Sequence, residues 1–366
     1  MSKKKTADQE SPAVPPKDKD FQGRQLDLFR SFLCNGKNEQ AKLSNTFDLW
    51  DSVPRYAISR QQMDKIRKAK GFLDLHQVEF LYRGANMKVV IQAARILDSK
   101  TNTSKDYYPS ANEELIEDAL RKIAAEQRNA FFDQPNFRSG VVFTLYMLRE
   151  ELKKQGHSRS YQEIVLSLQI LARSTIEIRA MNENGGEVIA VSSYFSGLSA
   201  VSKNTLATDP EAKWIVQFHP LVTREIDALT YRQFNYAQMM SHKTQLARWL
   251  HKQLSLKFTF ASLIAPFEMR YSTIKRDSAL LEAYTRQRKA TEALDAALNE
   301  LIAAKVLARF EKKSILGPRG KVEDIIYTLF ASMEFSREMK AANKRKQLAE
   351  ESQIHPEKLS TAPKNR

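Results

Sequence analysis

The strongest chemical signal in the sequence is a cluster of cations where an apolar helix begins. The run Thr285-Arg286-Gln287-Arg288-Lys289 packs three cations and two hydrogen-bonding side chains into one predicted helical turn. Helix N-termini favour Asp and Glu, so three cations there are a poor choice for stability alone. Arginine can bind guanine O6 and N7 through two hydrogen bonds, and glutamine can bind adenine N6 and N7 in the same way. The turn therefore predicts contact with DNA bases; the alternative is a solvated, charged helix start.

Further cations surround this turn in the sequence. Two lie on the preceding predicted helix, where they could meet phosphates, and four flank a predicted hairpin turn that could reach phosphates or the minor groove. The predicted DNA-binding residues are Lys275, Arg276, Thr285, Arg286, Gln287, Arg288, Lys289, Lys312, Lys313, Arg319 and Lys321. From Arg232 to Lys321 the chain has 17 Lys and Arg against 7 Asp and Glu, within a total net charge of +15. Concentrated charge favours a nucleic acid over the alternative explanation, general solubility.

Hydrophobic periodicity predicts the elements that position these cations. Helices are expected at Gln245–Leu256, at Ser272–Leu281 and at Glu292–Ala304, the last starting near Thr285. A strand at Val306–Phe310, a turn at Gly317–Gly320 and a return strand at Asp324–Phe330 should follow. Helices followed by a β-hairpin are typical of a winged helix.

An earlier part of the chain repeats this order. Val141, Leu145, Leu148 and Leu152 share one helical face. A capping box at Ser160–Glu163 opens a second helix, whose apolar face includes Ile164, Leu168 and Leu171. Strands are expected at Ile176–Ala180, Val188–Val191 and Ile215–Phe218, with a turn at Asn184-Gly185. Because this unit is less basic, DNA contact and dimerisation are equally favoured for it.

The sequence therefore predicts an α+β, mainly α fold with two tandem winged-helix domains and flexible N- and C-terminal tails. Ahead of the first unit, helices are expected at Gln61–Lys70, Val89–Leu97 and Ala111–Gln127. The predicted boundaries are 1–45 for a flexible arm with a short linear motif, 46–130 for a helical region, 131–231 for the first winged helix, 232–335 for the second, main DNA-binding winged helix, and 336–366 for a basic flexible tail.

Several function classes lack their sequence signals. There is no phosphate-cradling G-x-x-x-x-G-K-[ST] loop, and no two of the six histidines have metal-pair spacing. We therefore expect no cofactor, no metal and no enzymatic activity, including that of a nicking enzyme. The lone cysteine, Cys34, cannot form an internal disulfide. Without a secretory signal or an apolar run of membrane-spanning length, a cytoplasmic location in a bacterium and no membrane partner are expected.

Three stretches give the sequence a family resemblance. Phe47–Pro54, Tyr231–Tyr236 and Leu246-Ala247-Arg248-Trp249-Leu250-His251-Lys252 resemble segments of RepA-type and TrfA-type plasmid replication initiators. The resemblance covers roughly residues 25–331. It implies tandem winged helices that bind direct repeats, called iterons, in the double-stranded DNA of a plasmid origin. It also implies origin opening with host DnaA, recruitment of the host replicative helicase, and a monomer–dimer equilibrium linked to autorepression and copy control.

The resemblance also indicates a function for a short apolar segment in the N-terminal arm. Gln25-Leu26-Asp27-Leu28-Phe29 resembles the pentapeptide that docks bacterial proteins onto the sliding clamp. Leu26, Leu28 and Phe29 would fill an apolar pocket, while Gln25 hydrogen-bonds at its rim. The alternative is an apolar patch that packs on the protein's own core. A winged-helix transcriptional regulator without a replication role, the rival class, has no reason to carry this motif.

Overall fold

The computed structural model describes residues 42–98, 101–125, 129–133, 135–181, 186–202, 206, 209–228 and 230–354. Within them, the helices are α1 (Arg60–Lys70), α2 (Ala111–Ala125), α3 (Leu145–Lys154), α4 (Tyr161–Arg173), α5 (Pro220–Asp227), α6 (Tyr236–Met240), α7 (Gln245–Lys257), α8 (Tyr271–Ser278), α9 (Gln287–Ala303) and α10 (Met333–Ile354). The strands are β1 (Leu43–Phe47), β2 (His76–Tyr82), β3 (Ala85–Gln92), β4 (Ala94–Asp98), β5 (Thr103–Tyr107), β6 (Ala130–Asp133), β7 (Arg138–Thr144), β8 (Thr175–Met181), β9 (Glu187–Ser193), β10 (Phe195–Val201), β11 (Lys213–Phe218), β12 (Tyr231–Asn235), β13 (Phe267–Arg270), β14 (Leu307–Leu316) and β15 (Val322–Ala331). Short 3-10 helices lie at Trp50–Ser52 and Pro318–Gly320.

The buried apolar side chains form two large clusters. One contains side chains from Phe47 to Met240, together with Ala279. The other contains side chains from Leu246 to Met339. The change from one cluster to the other falls in the turn between α6 and α7. We call residues 42–240 the N-terminal body and residues 245–354 the C-terminal body.

Antiparallel sheets surround a central helix in the N-terminal body. Two sheets have four strands, in the orders β2-β3-β8-β9 and β10-β11-β7-β6, while β1 pairs with β12 and β4 pairs with β5. Thirteen consecutive residues of α2, from Glu113 to Ala125, are buried. Because six of them carry a charge, the fold must supply buried partners for these side chains.

The helical region predicted at 46–130 is helical only in part: α1 and α2 confirm two of its three predicted helices, but strands β2 to β5 lie between them. Val89–Leu97, predicted as a helix, forms the end of β3 and most of β4. Met87, Val89 and Ile91 are buried in alternation, as expected for a strand with one face on the core. Their pairing partners lie far along the chain, as in Val89 opposite Ile178. No local pattern reveals such a pairing, and the single cluster from Phe47 to Met240 shows no break near residue 130.

The first predicted helix–helix–hairpin unit is present with one shifted start. Val141 lies in β7, and α3 begins only at Leu145, where the Thr144 hydroxyl accepts a 3.2 Å hydrogen bond from the amide of Met147. The capping box at Ser160 and Glu163 is confirmed at the start of α4. The predicted strands are also confirmed as β8, β9 and β11.

The C-terminal body has the order α7, β13, α8, α9, β14, β15; the three helices and the hairpin are as the sequence predicts, but strand β13 was not predicted. Its three-stranded sheet has the order β13-β15-β14. Leu250, Leu294, Leu298 and Tyr327 are fully buried where α7 and α9 pack with the hairpin. The apolar spacing of these helices thus fixes which face of α9 points outward.

The predicted flexible tail at 336–366 is wrong over its first part. Residues to Ile354 belong to α10, and Phe335 and Met339 are each 1% exposed in the second core. The Asn343 side chain donates a 2.8 Å hydrogen bond to the Thr259 carbonyl. Asn235 of the N-terminal body donates one of 2.6 Å to Glu338. Helix α10 therefore connects the two bodies. Its basic composition predicts a solvated segment, because only a few of its side chains are apolar and buried.

The fold is mixed rather than mainly helical. Helix accounts for 42% of the structure and strand for 33%. Among the described residues, no helix combines the length and the apolar character needed to cross a membrane.

Candidate nucleic-acid interface

The first turn of α9 is an exposed cationic helix start. Arg286 is the N-cap residue, provides no side-chain cap, and no acidic side chain lies in the first turn. Gln287, Arg288 and Lys289 are all exposed. The Arg288 side chain is 88% exposed. The helix dipole and these cations together favour an anion at this end, as a phosphate-bearing partner would provide.

Glu292 joins two of these cations one turn further along α9. Its Oε1 accepts a 3.0 Å hydrogen bond from Arg288 Nε, and its Oε2 accepts one of 2.8 Å from Lys289 Nζ. The hydrogen bonds from Lys289 and Arg288 lower the pKa of Glu292, while the bond to Glu292 raises the pKa of Lys289. Glu292 is therefore an anion at neutral pH, held between two cations.

Helix α8 carries the next two predicted residues and packs against the N-terminal body. Arg276 Nε donates a 2.7 Å hydrogen bond to Asp277, and Asp277 also accepts one of 3.1 Å from the amide of Leu81 in β2. Asp277 is buried, so it fixes α8 on the edge of the sheet. Arg276 is thus partly held by its own neighbour, whereas no ion pair of Lys275 is found among the described residues.

A groove of about 700 Å³ runs between α8, the start of α9 and β2. Four predicted residues line it, namely Lys275, Arg276, Thr285 and Gln287. Its opposite wall is formed by Gln77, Val78 and Glu79 of β2. Sequence reasoning placed the four residues on neighbouring helices but missed this wall, because β2 is nearly 200 residues away along the chain.

The hairpin β14–β15 places its cations on different faces. Lys312 Nζ donates a 2.6 Å hydrogen bond to Asp295 of α9, and Asp295 also accepts one of 3.2 Å from the Tyr327 hydroxyl. Lys313, the next residue along the strand, points to the other face. Lys321 is exposed at the end of the turn, where Gly320 has a φ of 73°. The Arg319 side chain lies outside the described part of the structure.

We call the surface formed by α8, the first turn of α9 and the hairpin β14–β15 the cationic face. It brings Lys275 and Arg276 of α8 close to Thr285 and Gln287 at the start of α9, in a groove that Glu79, Glu282 and Glu323 also line. It connects Lys312 to α9 through Asp295. Lys313 and Lys321 are exposed on the hairpin, and Lys313 points away from α9. The predicted clamp motif, Gln25, Leu26, Asp27, Leu28 and Phe29, lies outside the described residues.

A second charge-rich region lies buried where the two bodies meet. We call it the junction cluster; it consists of Asp51, Arg55, Glu114, Glu117, Asp118, Arg121 and Lys252. Asp51 pairs with Arg121 at 2.9 Å and with Arg55 at 3.0 Å. Lys252 of α7 reaches across to Asp118 at 2.7 Å and to Glu114 at 3.1 Å. Two of the stretches that resemble plasmid initiators therefore contribute to packing between bodies, not to the cationic face.

Pairing decides the ionisation of two carboxyl groups in the cluster, Asp51 and Glu117, whereas at Asp118 burial outweighs the neighbouring cations and raises the pKa to about 6. Burial opposes ionisation of Asp51, but Arg121 and Arg55 outweigh it and hold the pKa of Asp51 below its usual value. Burial likewise opposes ionisation of Glu117, whose pKa falls to about 2 because of Arg121 and Arg55. Sequence analysis missed the four charged residues of α2, because Glu and Arg three and four positions apart are equally typical of a solvated helix.

One neighbouring carboxyl group behaves in the opposite way. Glu225 of α5 is 6% exposed and accepts a 2.6 Å hydrogen bond from the amide of Leu49. Burial raises the pKa of Glu225 to about 8, and the nearby carboxylates of Asp51 and Asp48 add to the shift. Its Oε2 has no hydrogen-bond partner among the described residues.

Two histidines that are nine positions apart in the sequence, outside the spacing of a metal-binding pair, are in contact. His242 Nε2 lies 2.9 Å from His251 Nδ1, and burial lowers the pKa of His242 to about 4. The pair is therefore neutral and belongs to the core near the turn between the bodies. In the described part of the chain, no three His, Cys, Asp or Glu side chains are grouped to hold a metal ion.

No protein-family model and no curated protein matches the chain. Among solved structures, the chain is similar to a crystal structure of domains 2 and 3 of RctB, with a TM-score of 0.49 and 12% identity over 81% of this chain and 98% of that one. It is also similar to the Pi initiator protein in complex with iteron DNA, with a TM-score of 0.34 and 11% identity over 80% of this chain and 99% of that one. At these values the likeness assigns no role to any residue.

Proposed function

We propose that the chain binds double-stranded DNA through the cationic face of its C-terminal body. The observation that carries this proposal is the exposed first turn of α9, which presents Arg286, Gln287, Arg288 and Lys289 with no acidic residue among them. In a helix-turn-helix arrangement, the N-terminal residues of the recognition helix reach base edges in the major groove. The helix order and the outward face of α9 fit that arrangement.

On this proposal, each part of the cationic face contacts a different part of the DNA duplex. Arg286, Gln287 and Arg288 would contact base edges, and Thr285 and Lys289 would assist from either side of the turn. Lys275 and Arg276 of α8 would contact phosphates, which set the register of the protein on DNA. Lys312, Lys313, Arg319 and Lys321 would meet phosphates or the minor groove beside the hairpin.

We further propose that this DNA is a plasmid origin and that the chain is a replication initiator that binds iterons, promotes origin opening and recruits host replication proteins. Support comes from the sequence resemblance of Phe47–Pro54, Tyr231–Tyr236 and Leu246–Lys252, and from the pentapeptide at Gln25–Phe29. On this proposal, binding to DNA positions the protein, and the pentapeptide brings the sliding clamp. Host DnaA and the replicative helicase would be the other partners.

The N-terminal body offers a surface for self-association. Strand β9 is the edge of its sheet, and Val188, Ile189 and Val191 are 56%, 49% and 61% exposed. An apolar edge strand is a ready template for pairing with another chain. Dimerisation is therefore part of the proposal, alongside DNA contact by the same unit.

Footprinting on the DNA that flanks the protein's own gene tests this proposal. An initiator should protect several direct repeats of about 20 base pairs, spaced by whole helical turns. Protection of one palindrome would instead favour the alternative function, a winged-helix transcriptional regulator or autorepressor. We expect no cleavage of the same DNA with added divalent metal, and cleavage would point to a nicking enzyme.

A further inference from the structure

Glu292 is placed to control how two cations of α9 meet DNA. It is the first acidic side chain of the helix, one turn after Arg288, and it is 44% exposed. Its two carboxylate oxygens contact different cations, Oε1 to Arg288 Nε and Oε2 to Lys289 Nζ. One carboxylate therefore fixes the directions of two long and otherwise exposed side chains.

The contact leaves Arg288 able to bind a base. A guanidinium has five N–H donors in a planar fork, and the Nε bond uses one of them. The terminal amino groups remain for the O6 and N7 acceptors of guanine. An arginine oriented in advance loses less side-chain entropy when it makes this two-bond contact.

The negative charge of Glu292 also acts on DNA directly. Nonspecific binding depends on attraction between cations and phosphates, whatever the base sequence. A carboxylate between Arg288 and Lys289 offsets part of that attraction and repels phosphates close to it. Discrimination between two targets can come from such repulsion as well as from attraction.

We propose that Glu292 is a positioning residue that determines specificity: it holds Arg288 and Lys289 for base contact and weakens their binding to phosphates alone. This inference rests on the proposed DNA-binding function. The other two acidic residues of α9 have different partners: Asp295 accepts from Lys312 and Tyr327 of the hairpin, and Glu300 accepts from the amides of Lys243 and Thr244.

The test compares Glu292→Gln with a matched control, Glu334→Gln. Glu334 is also exposed, at 52%, and pairs with Lys305 at 3.8 Å beyond the C-terminal end of α9, away from its cationic first turn. Both changes remove one negative charge from an exposed ion pair of the same body. Wild-type protein first selects a consensus from a library of random duplexes, and each variant is then titrated with the consensus duplex and a scrambled duplex of equal length.

We expect Glu292→Gln to bind the scrambled duplex about fivefold more tightly and the consensus duplex within about twofold of wild type. The ratio of the two affinities should fall about fivefold, whereas Glu334→Gln should leave that ratio unchanged. An unchanged or increased ratio for Glu292→Gln, or the same fall for both variants, would overturn the inference and leave the proposed function standing. Failure of wild-type protein to enrich any duplex would overturn the proposed function and the inference with it.

Discussion

The junction cluster and the cationic face use the same residue types in opposite ways. In the cluster the charged side chains are 2% to 7% exposed, and each cation lies within 3.1 Å of a carboxylate. On the face, Arg288 and Lys289 are 88% and 65% exposed and share one carboxylate. A buried charge without its partner is costly, while an exposed charge can exchange water for another anion. Pairing therefore stabilises the junction, and sparse pairing leaves the face open to phosphates.

The largest effect should follow from removing one cation of the junction cluster. Arg121→Met would leave Asp51 and Glu117 buried with one shared cation, Arg55, in place of two. The free energy of unfolding, measured in urea, should fall by about 3–5 kcal/mol. Lys153→Gln, which breaks an exposed pair with Glu150, is the control and should cost less than about 1 kcal/mol. Equal losses of unfolding free energy in the two variants would contradict the claim that buried pairs of the junction cluster contribute more to stability than exposed pairs.

The next effect concerns Glu225, which lies beside the junction cluster and whose ionisation is opposed mainly by burial. Its pKa is raised from 4.5 to about 8, so the folded protein binds a proton more tightly than the unfolded chain does. The stabilisation is complete below pH 4.5 and is lost as the pH rises towards 8, on the order of 3 kcal/mol between pH 5 and pH 8. Glu225→Gln should flatten this part of the profile, as urea unfolding across that pH range would show. A profile as steep as that of wild type would contradict the assignment.

Replacement of an arginine by lysine tests the base-contact role of the cationic face. Arg288→Lys keeps the charge but loses the two-pronged contact with guanine. Discrimination between the consensus duplex and its single-base variants should fall roughly tenfold at one position. Affinity for scrambled duplex should change little, and a uniform loss on all duplexes would make Arg288 a phosphate contact.

The smallest effect is expected at the hairpin side of the face. Lys313→Gln removes one exposed cation and should weaken binding to all duplexes alike, by roughly threefold at moderate salt. The slope of log affinity against log salt should become shallower by about 1. A change in the preferred sequence would show instead that the hairpin contacts bases.

The cationic face was largely predictable because its signals are local. The turn from Thr285 to Lys289 can be recognised in the sequence because three of its five residues are cations. The apolar spacing of Leu294, Leu298 and Leu301 determines which side of α9 is exposed. The hairpin followed from Gly317–Gly320 between two apolar runs. What the sequence could not provide was the wall of the groove, since β2 reaches α8 only through tertiary packing.

The junction cluster was not predictable for the same physical reason. Asp51 lies in the 3-10 helix Trp50–Ser52 and Arg55 in the loop after it, while the other members lie in α2 and α7, where the charges have ordinary helix-surface spacing. Burial is decided by how the segments meet, which periodicity does not report. The strands at 85–98 were missed likewise, because β3 finds its partner in β8 far along the chain.

The most direct test of the central claim is the affinity of an Arg286→Ala, Arg288→Ala double variant for the selected consensus duplex, with urea unfolding measured on the same samples. Both side chains are exposed, so the unfolding midpoint should not change. The affinity should fall by about 100-fold or more, because two base-contacting cations are lost. An affinity within about twofold of wild type would contradict the claim that the first turn of α9 binds DNA.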